Sequence, residues 1–375
     1  MKKLIVAAAF AAAACAFAQQ GGIAKWDSRM AADNAVVDTN GVKWIDGKFL
    51  PIEGRWTLGD AEHYYVRLPD TLTTNVNAGV RGMRNHTSGM LFRFRTDSKF
   101  LVIRHAPLNG WHGMGHMTEV GASGWDVYKL DKASGKWRFV ASNHRAVAEK
   151  GDPGTRVKRI AWNPGDECII NLPLYNGVKE FSLGVAPDAK IEAPAPWASG
   201  VTKPVVFYGT SITHGGCATR PGLGFVNIVG RELQVPVYGL GFSGSGRMEL
   251  EMADHLARID ASCYVLDCLW NLNPQMVKER FEQFVRELRR LRPDVPIICA
   301  EDCNTFRDTT EKGVIAKAVV EKLQAEGWKD LSWLPNTEQM VRDGEEAVDG
   351  IHPNDWGMMH MGEGFARAIR KALKK

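Results

Sequence analysis

The sequence has no CxxC pair and no cysteine–histidine spacing of a structural zinc site, so neither a zinc module nor a dithiol redox motif is expected. After the first twenty positions it has no apolar stretch of about 18 residues, which excludes a membrane-spanning helix by the usual length criterion. Charge of one sign is also lacking: 47 Lys and Arg stand against 43 Asp and Glu, a formal net of +4. That surplus is too small and too evenly spread to favour nucleic acid. Its densest basic run, Arg286 to Arg292, falls in an amphipathic pattern and reads as the solvated face of a helix. What is present is ordinary for a chain with a real core, with 45% hydrophobic and 24% charged residues and a mean hydropathy of −0.23. At roughly 100–200 residues per domain, 375 residues predict about two domains.

The first eighteen residues read as an address. Lys2 and Lys3 make a positive start, Leu4 to Ala14 an apolar run, and Ala16-Phe17-Ala18 a small-x-small cleavage site before Gln19. Export to the periplasm or the extracellular space is expected, with residues 1–18 removed. Cys15, after Ala12-Ala13-Ala14, offers a second outcome, a lipid anchor at the start of the mature chain. Six cysteines follow: Cys168, Cys217, Cys263, Cys268, Cys299 and Cys303. An exported chain can form disulfides, and one local bridge is possible. Four of the six fall in or beside apolar β-like runs, where a buried free thiol is the alternative.

The pattern changes near residue 190. From about 20 to 195, short alternating runs lie between turn residues, with no helical periodicity, and predict a β-sandwich. The runs are Tyr64–Leu68, Met90–Arg95, Leu101–Arg104, Trp125–Leu130, Trp137–Ser142 and Phe181–Val185, and Asp131 to Gly135 reads as a hairpin loop. Eight of the twelve tryptophans precede residue 203, more simply as aromatic core than as a sugar platform. Ala193 to Gly200 is a linker. From 203 to 375, buried strands Val205–Tyr208, Val235–Phe242, Tyr264–Trp270 and Val295–Ala300 alternate with helices, the clearest from Pro274 to Arg292 and the last from about Asn354 to Leu373. That alternation predicts an α/β fold, a parallel sheet covered on both faces.

Ligands of such sheets bind beyond the carboxyl ends of the strands, and four features fall there or in the last loop. Gly209-Thr210-Ser211 follows the first strand, Phe242 to Gly246 the second, Asn271 the third, and Asp349-Gly350-Ile351-His352 precedes the final helix. Ser211 is a weak nucleophile until an imidazole takes its proton, a task for His352 oriented by Asp349. The backbone N–H groups of Ser211 and Gly244, with the side-chain amide of Asn271, would serve the oxyanion. Each feature alone has a plainer meaning: a turn at Gly209 to Ser211 and at Gly244, a helix cap at Asn271.

With these residues the chain resembles the SGNH (GDSL-like) hydrolase superfamily. Val206 to Thr213 is similar to its nucleophile block, Gly241 to Gly244 to its glycine block, Asn271 to its asparagine block and Asp349 to His352 to its Asp-x-x-His block. Gly124-Trp125-Asp126-Val127-Tyr128 resembles the Gly-x-Asp-Leu-Tyr motif of sandwich domains that precede one bacterial branch. The resemblance implies a flavodoxin-like α/β/α domain after an all-β jelly-roll or sandwich domain, and carboxylic ester hydrolysis through an acyl-enzyme. No cofactor is expected, and the cysteine and histidine spacing leads to no metal. Two departures stand out: Thr210 replaces the usual aspartate, and Leu269-Trp270-Asn271-Leu272 lacks the usual neighbours of the asparagine.

The expectation is an exported serine esterase that removes short acyl groups, acetyl above all, from an oligosaccharide or polysaccharide. The alternatives are a lipase or lysophospholipase-like enzyme on longer chains, and a catalytically silent carbohydrate-binding protein. Trp111 and His112, in the glycine-rich run Gly110 to His116, and Trp270 are candidate substrate contacts; the run otherwise reads as a surface loop. Arg220, Glu301 and Asp302 are further candidates for the cleft.

Overall fold

The computed structural model describes residues 35–58, 63–110, 113–143, 147–149 and 152–374. The signal segment 1–18 with Cys15, and the candidate contacts Trp111 and His112, lie outside these.

The first half is a sandwich of two antiparallel sheets. One runs, in spatial order, Val36–Val37, Lys43–Asp46, Val178–Val185, Phe100–Pro107, Asp152–Ala161 and Val147–Glu149. The other runs Ile191–Glu192, Leu91–Thr96, Glu167–Asn171, Asp126–Asp131 and Lys136–Ser142, with Ile52–Glu53 paired beside Leu91–Thr96. The hairpin expected at 131–135 forms with Asp131 opposite Lys136, and Gly135 takes a φ of +66° at its tip. Phe92, Phe94, Ile170, Trp125 and Trp162 fill the space between the sheets, so the tryptophans Trp125 and Trp162 are core. The linker is pinned rather than free: the Trp197 ring lies 3.7 Å under the Arg93 guanidinium and its indole N–H donates to Glu53.

Two expectations for this half fail. Tyr64–Leu68 is not a strand, and three short helices, Asp70–Thr73, Ala78–Met83 and Glu119–Ser123, stand where none was expected. The reason is what they pack on. Trp56, Val66, Leu68, Val76 and Val80 join the core of the second half, and Arg67, between two apolar neighbours, is itself fully buried. With both faces buried, the period of two has no solvent side to mark a strand. Met117, Ala122, Leu174 and Tyr175 enter a second core of the α/β half.

That half is a five-stranded parallel sheet ordered Val237–Gly241, Val205–Gly209, Cys263–Asp267, Ile297–Ala300, Leu331–Leu334. In chain order this is 2-1-3-4-5, which puts the topological switch between the first and third strands. Helices Phe225–Leu233 and Asp355–Leu373 pack together, and Leu250–Ala257, Pro274–Leu291 and Glu311–Ala325 form the other layer. Pro274–Leu291 buries Val277, Phe281, Phe284 and Leu288 as its spacing predicts, each worth about 1.5–3 kcal/mol of hydrophobic burial. Its basic run is not simply solvated. Arg286 pairs with Glu282 and Glu326, while Arg289 donates to the carbonyls of Pro293, Val295 and Asp330. Among the described residues all six cysteines are free and buried, which removes the expected possibility of a local disulfide. No helix among the described residues is long and apolar enough to cross a membrane.

Candidate active site

The strand Val205–Gly209 ends in a tight turn. Thr210 stands where an aspartate is usual and does an aspartate's local work: its hydroxyl accepts the N–H of Ile212. This presents Ser211 at the mouth of the switch point, 8% exposed, with its Oγ 2.9 Å from Nε2 of His352. The other ring nitrogen of His352 lies 2.7 Å from Oδ2 of Asp349. Oδ1 of the same carboxylate accepts the backbone N–H groups of His352 at 2.7 Å and Ile351 at 3.0 Å. Burial opposes the charge of Asp349, but these N–H donors and the imidazole outweigh it and hold its pKa down to about 2. Ser211, His352 and Asp349 thus form one continuous hydrogen-bonded chain.

The loop after Val237–Gly241 carries the glycine block. Gly244 adopts a φ of +63°, a region where a Cβ is strained, and a Cβ added there would meet nothing within 4 Å. A Cβ at Gly246 would lie 2.0 Å from the carbonyl oxygen of Gly209, so the loop sits directly on the first strand's end. Among the described residues neither the Ser211 nor the Gly244 N–H has a protein acceptor. Asn271 reaches the same loop from the third strand, but its amide donates to the carbonyls of Phe242 and Gly246, each at 3.2 Å. It clamps the loop, and donates to an oxyanion only by yielding one of these bonds. It is not a helix cap; Asn273 fills that role for Pro274–Leu291.

Of the other expected contacts, Trp270 is half-buried beside Asn271, its indole N–H held by the Cys303 carbonyl and its face covered by Lys312. Arg220, Glu301 and Asp302 do not join the hydrogen-bonded chain of Ser211, His352 and Asp349. Glu301 and Asp302 are buried against Thr309, Thr310 and Lys312. Arg220 binds the Gly-x-Asp motif: Asp126, fully buried, accepts from Arg220 at 2.8 Å, the Gly222 N–H at 2.9 Å and Asn171 at 2.8 Å. The motif is an interdomain clasp, and Tyr128 adds its hydroxyl to Arg220.

Sequence reasoning missed residues of the first half that reach the site. The hydroxyl of Tyr175 donates to the Ser211 carbonyl at 3.0 Å, and its ring stacks on His214 at 4.2 Å. Arg67 donates to the carbonyls of Gly239, Gly241 and Met83 with no carboxylate beside it. Burial lowers its pKa to about 9, which leaves it charged at neutral pH. The signal for Arg67 was available as a charge within an apolar run; nothing local marked Tyr175. His116, from the glycine-rich run, places Nε2 3.3 Å from Oδ2 of Asp349.

His116, Cys217 and His352 each offer a ligand atom within 4.8 Å of the others. They suit a resident metal poorly. A metal needs the thiolate, and burial with the nearby Asp349 charge pushes the Cys217 thiol up to about 12, while both nitrogens of His352 are engaged in the chain.

Comparison with known proteins bears on the fold and the family. Residues 202–370 match the GDSL-like lipase/acylhydrolase family, and residues 42–191 match the GxDLY N-terminal domain of SGNH-type esterases. No curated protein matches the chain. A structure described as a GDSL-like lipase from Bacteroides ovatus is 29% identical, with a TM-score of 0.76, over 89% of this chain and 98% of its own. A salicylyl-acyltransferase from a tetracycline biosynthetic pathway shares the fold at 18% identity and a TM-score of 0.70, again over 89% and 98%. An acetyl xylan esterase from Butyrivibrio proteoclasticus shares it at 12% identity and 0.53, over 88% and 99%. Two matched families in tandem lead to one assignment by part: residues 202–370 belong to the GDSL-like lipase/acylhydrolases, and residues 42–191 to the GxDLY domains that form the N-terminus of SGNH-type esterases.

Proposed function

We propose that this protein is an exported serine esterase that removes short acyl groups, acetyl in the first instance, from an oligosaccharide or polysaccharide. The observation that carries the reading is the unbroken hydrogen-bond chain from Asp349 through His352 to Ser211. In the reaction, Ser211 Oγ attacks the ester carbon as Nε2 of His352 takes its proton. The free N–H groups of Ser211 and Gly244, with the amide of Asn271, receive the charge that builds on the carbonyl oxygen. Collapse expels the sugar alkoxide, which takes the proton from His352 and leaves an acyl-Ser211 ester. Water, deprotonated by the same imidazole, then releases the carboxylic acid and restores Ser211.

The substrate class rests on two supports. The fold is shared with an acetyl xylan esterase. The exposed Phe306 ring lies beside Gly344 and Gly350 of the loop that carries Asp349, and Trp356 is exposed four residues after His352, giving flat apolar faces at the rim. Such faces suit a sugar ring or an acyl chain, so the test uses both. Acetate release from acetylated xylan and pectin is expected, with p-nitrophenyl acetate as a control and Ser211→Ala inactive on all three. Activity confined to long-chain esters would replace this reading with a lipase. Full activity of Ser211→Ala would remove the nucleophile. Failure of a fluorophosphonate probe to label the wild-type protein would instead favour a silent carbohydrate-binding protein.

A further inference from the structure

The catalytic carboxylate is shared between two imidazoles that come from different halves of the chain. Asp349 sits on an exposed loop next to Gly350, which has a φ of +82°, and a third of its side chain faces solvent. Its backbone donors fix one oxygen, Oδ1. The other, Oδ2, is the one that must stay on Nδ1 of His352. That oxygen meets a second group, Nε2 of His116, at 3.3 Å, with the two imidazole centroids 5.5 Å apart.

His116 does not arrive there by chance contact of a loose tip. Its segment leaves the sandwich strand Phe100–Pro107, where the Leu108 N–H donates to Gly177 and the Asn109 N–H to Asn176. Beyond His116 the Thr118 hydroxyl donates to the Thr219 carbonyl at 2.6 Å, on the stretch that follows Ser211. A Cβ added at Gly121 would lie 2.2 Å from the Ala218 carbonyl oxygen, and one at Gly216 would lie 2.9 Å from the Met114 methyl. The chain is therefore held by the sandwich at Leu108 and Asn109, and on either side of His116 it packs onto the α/β half through Met114, Thr118 and Gly121.

We infer that His116 is a positioning residue: supplied by the sandwich domain, its imidazole lies within ion-pair range of Oδ2 of Asp349 and keeps that carboxylate in the rotamer that serves His352. The inference rests on the esterase reading above and gives the sandwich a part in ordering the active site. His116 touches no reacting atom. Its loss frees the carboxylate to turn toward solvent, and only the fraction of molecules with His352 oriented then reacts.

The test compares full-length wild type, His116→Ala, His116→Gln and Ser211→Ala on p-nitrophenyl acetate. His116→Ala is expected to lower kcat about tenfold, the scale of one hydrogen bond to a charged group, with KM and thermal midpoint unchanged. The Gln amide reaches about as far as Nε2 and donates as well, so His116→Gln should regain most of that loss. Wild-type kcat in His116→Ala overturns the inference, as does a His116→Gln variant no better than Ala. So does a loss matched by a fall in thermal midpoint or carried by KM. Retained activity in Ser211→Ala sinks the esterase reading itself. An inactive Ser211→Ala beside a normal His116→Ala sinks only the role of His116.

Discussion

Asn271 shows how one side chain can carry two jobs that a motif does not separate. As an oxyanion donor it should act on the transition state; as a clamp on Phe242 and Gly246 it should act on the folded loop. Asn271→Ala removes both. The donor role predicts a kcat loss of about 10²–10³-fold, the usual cost of removing one oxyanion donor, with a small change in KM. A clamp alone predicts a modest kcat loss and a lower thermal midpoint, so steady-state kinetics beside a melting curve separate the two. The residues of the hydrogen-bonded chain were legible in the sequence because Ser211, Asp349 and His352 are placed by their immediate neighbours: a turn capped by Thr210 and a four-residue loop whose backbone donates to its own aspartate. Arg220 was legible as a charge but not in its role, because its partner Asp126 lies 94 positions away.

At the scale of the element, the ends of the central strands are where burial and charge conflict. Asp267 closes the strand Cys263–Asp267, is 2% exposed and pairs in register with Gly209 beneath the nucleophile turn. Burial raises its pKa from 3.8 to about 7, and the neighbouring Asp302 adds to the shift, while a bond from the Thr213 hydroxyl at 2.7 Å opposes it. The folded state therefore keeps a proton that the unfolded chain has released. Stability should fall as pH rises from about 4 to about 7, by at most about 1.4 kcal/mol per pH unit for this one group. Asp267→Asn holds the neutral form at every pH and keeps an acceptor for Thr213. Its thermal midpoint should match wild type near pH 4 and exceed it near pH 8; equal midpoints at pH 8 would show that Asp267 ionises freely in the fold. Element positions in this half followed from buried apolar runs and amphipathic spacing. The strand Leu331–Leu334 escaped because only its end residues are buried, too short a signal to stand out.

At the scale of the molecule, the two halves are not separate bodies joined by a string. Cores of the α/β half include Trp56, Val66, Leu68 and Val80 on one side and Met117, Leu174 and Tyr175 on the other. The Asp126–Arg220 pair is buried at the join, with the Asp126 side chain at 0% and Arg220 at 20% exposure. Removing one partner of such a pair leaves the other uncompensated and typically costs about 3–5 kcal/mol. Asp126→Ala should therefore lower the unfolding free energy by that order, read from a single denaturation transition shared by both halves. Two resolved transitions, with the α/β half unaffected, would contradict the shared core.

The sequence by itself determined the class of each half, the tandem order and the residues of the hydrogen-bonded chain Ser211–His352–Asp349, because strand alternation, helical stripes and tight turns are local consequences of residue type. Only the tertiary structure decided what crosses the join. Trp56, Val66, Leu68, Val76 and Val80 became part of the core of the second half, the Gly-x-Asp motif became a clasp on Arg220, and His116 came to rest on Asp349, 233 positions away, although it sits in a run that reads as a surface loop. Contacts at such separations depend on how two finished surfaces fit, and no periodicity along the chain encodes that.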